Sequence, residues 1–386
     1  MKPFSSFKSL CIGIIFLSSA ASGVAATEPS PQSVKAICEK VAEWQIESFE
    51  EQGKYRALPT TDRRKWHHRN RYPDMNWNNG ALYAGMFEWS TIAGDPKFTD
   101  WLRAIGDKNS WDLHVNAAKG SHHADAHAVG ISHLKMHEQF GDPEMIAPTR
   151  GIFDEILARP DAEEYHWVWA DALFMSPPVW AQLSKATGDM RYLEYMDRQY
   201  HMTYDELWNA EDQLFYRDKG RIKKREKNGA NEYWARGNGW VYGGLTYMLP
   251  YLPEDWDGRA FYIDLFRQMS EALIRTQRSD GTWSMGMMGA EADYPSKDIS
   301  GSSFFVFGMA RGINMGILDR TKYEPIVFKG WQALTECVRE DGLVGYVQGV
   351  GAGPGETFAD YTESYGTGGF LAAGAEVYKL VSKTGR

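Results

Sequence analysis

The feature that most constrains this chain is a turn that occurs three times at even spacing. TIAGDPKF (91–98), HEQFGDPEM (137–145) and SKATGDMRY (184–192) share a Gly-Asp step, and Gly94, Gly141 and Gly188 lie 47 residues apart both times. Each has the chemistry of one helix ending and the next beginning. Glycine takes the left-handed position that closes a helix, aspartate accepts the first free N–H groups of its successor, and proline fits a first helical turn. A helix–turn–helix unit at that period cannot bury its apolar face alone, so stacked helical hairpins are expected.

Helical periodicity extends the pattern along the chain. Twelve segments are expected: 31–52, 79–93, 96–107, 125–140, 143–158, 177–187, 190–208, 238–249, 257–277, 301–315, 322–340 and 366–381. Little reads as strand. Twelve helices in six pairs fit an all-α (α/α)6 barrel of six helical hairpins; an open solenoid is the alternative, because closure is not written in local sequence. No Pro/Ser-rich linker divides residues 27–386, which are read as one domain.

The pairs are asymmetric. Odd-numbered segments are amphipathic and charged, as in FYIDLFRQMSEALIRTQ, whereas even-numbered ones are rich in glycine and alanine, as in GWVYGGLTYML and GTGGFLAAGAEVY. Small residues let helices crowd, which assigns the even set to an inner ring. The loops entering those helices would then converge on one mouth: NWNNG (76–80), SHHAD (121–125), VWAD (168–171), WARGNGW (234–240), DISGSS (298–303) and YTESYG (361–366).

Within HWVWADALFMSPPVW (166–180) one carboxylate, Asp171, stands beside Trp167 and Trp169. Burial against indole raises a carboxyl pKa and suits a general acid working near neutral pH. A turn-capping or ion-paired aspartate is the plainer reading. Ser176 before Pro177 reads as the N-cap of the third inner helix. Asp125 holds the equivalent place on the preceding inner helix, and two carboxylates across a sugar-sized cleft are a hydrolase arrangement.

Other groups surround this pair. Trp77, Trp169, Trp234 and Trp240 offer faces for sugar rings, and His123 adjoins Asp125. Arg236, set between two tryptophans, offers a fork for a carboxylate or sugar hydroxyls, or else a structural bridge to an aspartate. Ser302 and Ser303 read as an anion site at a helix start or as ordinary caps. His123, His127, His133 and His137 form two i,i+4 pairs too far apart to share one ion, so no metal is expected. GVGAGPG (349–355) follows no strand and is not read as a nucleotide loop.

Lys2, Lys8, the short apolar run LCIGIIFLSSAA and the small residues of SGVAA read as a signal peptide over residues 1–26, with cleavage expected after Ala26 and a periplasmic address; an uncleaved anchor is the alternative, disfavoured by the serine, alanine and glycine in the run. Taking Lys2 and Lys8 from the 42 basic residues leaves 40 against 51 acidic ones, a net charge of −11. That balance argues against nucleic acid and against anionic membrane surfaces as partners. Cys11 leaves with the leader. Cys38 and Cys337 then either pair or remain two buried thiols. The sequence does not indicate an oligomeric state.

WAD-x-LFM (169–175), HHAD (122–125), LFYRD (214–218), WARGNGW, DGTW (280–283), SGSSFF from Ser300 and GINMGILD (312–319) together resemble the unsaturated rhamnogalacturonyl hydrolases of glycoside hydrolase family 105. A more distant likeness is to the unsaturated glucuronyl hydrolases of family 88. The similarity runs from about Asn76 to Leu380. It implies a catalytic (α/α)6 barrel without cofactor, acting on oligosaccharides that polysaccharide lyases leave with a 4,5-unsaturated uronic acid at the non-reducing end. By motif, Asp171 is similar to the family's acid/base, Asp125 to its partner carboxylate, and Arg236 to the arginine beside the substrate. One departure stands out. Many members acting on rhamnogalacturonan fragments carry histidine after LFY, where this chain has Arg217. That cation favours glucuronyl–rhamnose fragments of the ulvan type, with a 3-sulfated rhamnose, slightly over galacturonyl–rhamnose. A periplasmic glycan-binding protein without chemistry, and an (α/α)6 endo-glycanase or epimerase, are the competing readings.

Overall fold

A computed structural model describes residues 28–56, 71–116 and 118–383; the expected leader, 1–26, lies outside them. Twelve helices of eleven residues or more carry the fold: α1 (Pro31–Ser48), α2 (Trp77–Ala93), α3 (Lys97–Lys108), α4 (Gly130–Phe140), α5 (Ala147–Ala158), α6 (Pro177–Thr187), α7 (Met190–Leu207), α8 (Ala235–Met248), α9 (Arg259–Thr276), α10 (Ile299–Asn314), α11 (Arg320–Thr335) and α12 (Ser364–Ser382). Strand among the described residues is limited to one hairpin of β1 (Trp208–Asn209) and β2 (Leu214–Phe215), with Trp208 opposite Phe215.

The three repeated turns are built as their sequence requires. Gly94, Gly141 and Gly188 end α2, α4 and α6 with φ of 74°, 72° and 72°, a region open to glycine at little cost. The aspartate after each accepts an N–H two residues on: Lys97 to Asp95 at 2.9 Å, Glu144 to Asp142 at 3.0 Å and Arg191 to Asp189 at 3.0 Å.

The ring closes. α2 packs on α4, α4 on α6, α6 on α8, α8 on α10, α10 on α12, and α12 returns to α2. An open solenoid has no such last contact. Nearly every residue of α8 and α10 is buried, whereas α3, α5 and α11 bury one stripe and expose the rest. α1 lies against α12, so the first and last helices form the sixth hairpin.

Glycine sets how closely the staves approach. A β-carbon on Gly85 of α2 would sit 1.9 Å from the Gly368 carbonyl of α12, and one on Gly368 would sit 2.3 Å from the Ala81 carbonyl. Inside the ring an aromatic column descends from the mouth. Trp77 and Tyr365 stack at 5.6 Å, Trp240 meets Trp77, Phe174 and Phe304 at 5.9, 4.8 and 4.8 Å, and Phe174 continues to Tyr247.

The far end is ionic. Arg311 of α10 binds Glu88 of α2 and, at 2.8 Å, Glu376 of α12, while Lys135 of α4 reaches Glu88 at 2.9 Å. Burial alone would raise the Glu88 carboxyl, but Arg311, Lys135 and Lys379 outweigh it and hold it well below its ordinary value. Cys38 and Cys337 are both free and buried. Among the described residues no helix is long and apolar enough to cross a membrane.

Candidate active site

Two of the loops entering inner helices bring Asp125 and Asp171 together. Asp125 sits in a 3-10 turn, Ala124–His127, just before α4. Asp171 precedes the one-turn helix Ala172–Met175, which leads into α6. Beyond β2 the chain pairs with the segment before Asp171. Trp169 bridges Asp218, and the Ala170 N–H donates to the Arg217 carbonyl at 2.8 Å. That register delivers the Arg217 guanidinium to Asp171, with Nε donating to Oδ2 at 3.1 Å and Nη1 donating to Asp218 at 2.8 Å.

Asn238 of α8 fixes the hairpin in turn. Its carbonyl accepts from the Phe215 N–H at 2.8 Å and its amide donates to the Phe215 carbonyl at 3.0 Å. Sequence reasoning passed over this residue, although a buried amide with a backbone partner on both sides is a strong anchor.

The two carboxyls differ in setting. Asp171 is 7% exposed, and burial raises its pKa to about 6. Arg217 and Arg236 pull against that rise, and the charge of Asp125 adds to it. Asp125 is half-buried and also raised by burial, with Lys119 and Arg217 opposing. His123 lies 3.7 Å from Asp125 and against Trp169 at 4.9 Å between ring centres. Burial, with Lys119 nearby, lowers His123 to about 4, so it is neutral at physiological pH.

Beside Asp125 opens a cleft of about 440 Å³, lined by Asn76, Trp77, His114, Asn116, Lys119 and His123. Trp77 and Trp169 are both half-buried; Trp77 lines the cleft, and Trp169 packs on His123, which also lines it. His114, Asn116 and Lys119 were not singled out from sequence. They belong to the first half of the loop between α3 and α4, ahead of HHAD, a stretch with no periodicity and no motif of its own.

Several expected contributors take other roles. Arg236 is 1% exposed and donates through Nη1 to the Gln348 carbonyl at 2.6 Å and through Nη2 to the Gly349 carbonyl at 2.9 Å. It stacks on Trp234 at 4.4 Å, whose indole N–H donates to Gln348. Both side chains therefore hold the 348–349 loop, while the Arg236 Nε–H has no protein partner among the described residues and the Arg236 charge acts on Asp171. Trp240, 1% exposed, is column and not surface.

Ser302 and Ser303 also fall outside the cleft. α10 begins at Ile299, so both lie within the helix, and their hydroxyls donate back to the Asp298 and Ile299 carbonyls at 2.6 Å. Asp298 is the cap, accepting from the Ser300 N–H at 2.9 Å. Ser176 holds the N-cap position of α6, as expected, but its hydroxyl makes no cap hydrogen bond and is shared by His127 at 2.7 Å and Trp180 at 3.1 Å. His127 and His133 are buried, and His137 bonds to the Asp142 carbonyl, so the histidine run is dispersed among separate partners.

A closed ring of six helical hairpins, with two neighbouring carboxyls at the mouth and tryptophan faces beside them, defines a helical glycoside hydrolase. The chain belongs to glycosyl hydrolase family 88, whose family model matches residues 37–381. It is similar to an unsaturated 3S-rhamnoglycuronyl hydrolase of Alteromonas sp. (strain LOR), 33% identical over 89% of this chain and 86% of that one. A protein of the same name from Formosa agariphila is 37% identical over 79% of this chain and 85% of its own. Among solved structures, a family 88 glycosyl hydrolase from Bacteroides vulgatus has the same fold, with a TM-score of 0.80, 24% identity, and 91% of this chain and 100% of that one covered.

Proposed function

We propose that this glycoside hydrolase removes the 4,5-unsaturated uronic acid from the non-reducing end of lyase-generated oligosaccharides by hydrating the C4=C5 bond. The observation that carries the reading is Asp171, a carboxyl raised to about 6 by burial and close enough to Asp125, which lines an open cleft, to feel its charge. An enol ether is attacked at carbon by a proton. Protonated Asp171 gives that proton to C4, and the charge that develops at C5 is shared with the ring oxygen. Water then adds at C5 and surrenders a proton to the site. The resulting hemiketal opens to a C5 ketone, and the hemiacetal left at C1 collapses to an aldehyde and expels the next sugar. Asp125 supports the developing positive charge and orients the water.

The names of the two curated relatives, unsaturated 3S-rhamnoglycuronyl hydrolases, favour a uronyl residue linked to 3-sulfated rhamnose, and Arg217 in place of histidine is the reason to prefer glucuronyl over galacturonyl. Export through residues 1–26 would place the enzyme in the periplasm with such oligosaccharides. The test is loss of the ultraviolet absorbance of the unsaturated uronate, with lyase digests of ulvan and of rhamnogalacturonan run side by side. The purified protein is expected to bleach the ulvan digest faster, and Asp171→Asn is expected to lose at least about a thousandfold in rate. A protein that bleaches neither digest, or that generates the chromophore from intact polymer, is not this hydrolase.

A further inference from the structure

Resting on that reading, we infer that Lys119 is the cation that receives the carboxylate of the unsaturated uronate, and so selects an acidic sugar at the cleaved end. A uronate entering this cleft brings its negative charge beside Asp125, with Asp171 behind it, and without a compensating cation like charges would oppose binding. Two arginines stand near those aspartates, but neither lines the cleft, and each gives two of its nitrogens to protein partners. Arg236 is sealed from solvent with Nη1 and Nη2 on the Gln348 and Gly349 carbonyls. Arg217 spends Nε on Asp171 and Nη1 on Asp218.

Lys119 is differently placed. It lines the cleft, its side chain is 52% exposed, and its ammonium lies 3.7 Å from Asp125 Oδ2, longer than a well-formed hydrogen bond. It is therefore available without breaking a short pair. His114 and Asn116 of the same loop, and Asn76 opposite, supply neutral polar groups around it. The carboxylate of a 4,5-unsaturated uronate is carried on C5, next to the C4 that Asp171 protonates. A cation close to Asp125 thus meets the one charged group that every such substrate must present near the reacting bond.

The test separates binding from chemistry. In an Asp171→Asn background, calorimetric titration with an unsaturated glucuronyl–rhamnose disaccharide is expected to show binding about tenfold or more weaker once Lys119→Gln is added, and mostly regained with Lys119→Arg. With Asp171 intact, Lys119→Gln is expected to raise KM by a similar factor while kcat stays within about threefold. The weakening should be the same with and without a 3-sulfate on the rhamnose, and should vanish on the methyl ester of the uronate. A loss confined to the sulfated disaccharide would assign Lys119 to sulfate and overturn the inference. A fall in kcat with a displaced pH profile at unchanged KM would overturn it too, leaving Lys119 as a partner of Asp125. Binding and KM that ignore the substitution have the same consequence. The proposed hydration fails separately, if the unsubstituted protein binds the disaccharide yet leaves its chromophore intact.

Discussion

Asp171 carries opposing electrostatic demands in one side chain. Burial favours its neutral form, and Arg217 and Arg236 favour its anion. As the proposed proton donor it must be neutral, so kcat/KM is expected to fall on the alkaline side with a midpoint near 6. Arg217→Gln removes an opposing cation, and the midpoint is expected to rise by about one unit or more. Stability follows the same ionisation. The folded pKa lies above the ordinary value of 3.8, so this group's contribution is complete below about 4 and is lost as pH rises through 6. Asparagine has nothing to ionise. The stability of Asp171→Asn relative to the unsubstituted protein should therefore climb across that window, by up to about 3 kcal/mol, and level off above it. Thermal denaturation from pH 4 to 8 checks this; a flat difference would mean that the carboxyl is not raised. At this scale the nearness of Asp125 to Asp171 was legible in sequence, because they stand five and six residues ahead of neighbouring inner helices, α4 and α6. The sequence did not reveal what Arg236 does. The carbonyls that bind it are 112 and 113 residues away, and a guanidinium between tryptophans looks alike whether its fork faces a ligand or a loop.

At the scale of elements, the division into charged outer and small-residue inner helices was legible because it follows from packing distance. The same distance predicts which glycines matter. Gly85→Ala drives a methyl into the Gly368 carbonyl where α2 meets α12, and rigid helix backbone cannot yield as a flexible side chain would. It is expected to destabilise by about 3 kcal/mol or more. Gly151, in the exposed face of α5, has nothing within 4 Å of an added β-carbon. Gly151→Ala is expected to stabilise by about 0.5–1 kcal/mol through helix propensity alone. Urea titration of the two variants measures both signs in one experiment. Helix starts were less legible than helix ends. The left-handed glycines mark their ends unambiguously, whereas α8 and α10 begin three and two residues before the expected 238 and 301. Those few residues carry the misjudged serines from a free helix end into a helix turn.

Over the whole molecule, closure is the property that local sequence could not declare, and buried charge at the far end of the ring bears on it directly. Glu88, Lys135, Arg311 and Glu376 come from α2, α4, α10 and α12, so the cluster ties the beginning of the chain to its end across the seam. Arg311 is shared by two carboxylates, and no solvent replaces it. Arg311→Ala leaves both without their main partner and is expected to cost about 3–5 kcal/mol. Because the whole ring loses one common contact, circular dichroism and tryptophan fluorescence should still report a single coincident unfolding transition at lower urea. Removing the charges together is a different matter. Arg311→Met combined with Glu88→Gln and Lys135→Met leaves Glu376 paired with Lys379 and no other charge of the cluster unpaired, and should recover most of the loss, although it deletes more hydrogen bonds than the single change. The cluster lies beneath the aromatic column, away from Asp125 and Asp171, so kcat at 25 °C should remain within a few-fold in both variants. If the triple variant were less stable than Arg311→Ala, the ion pairs themselves would be the source of stability. If the two probes separated, the inner ring would be opening at the α2–α12 seam before the other staves lose their packing.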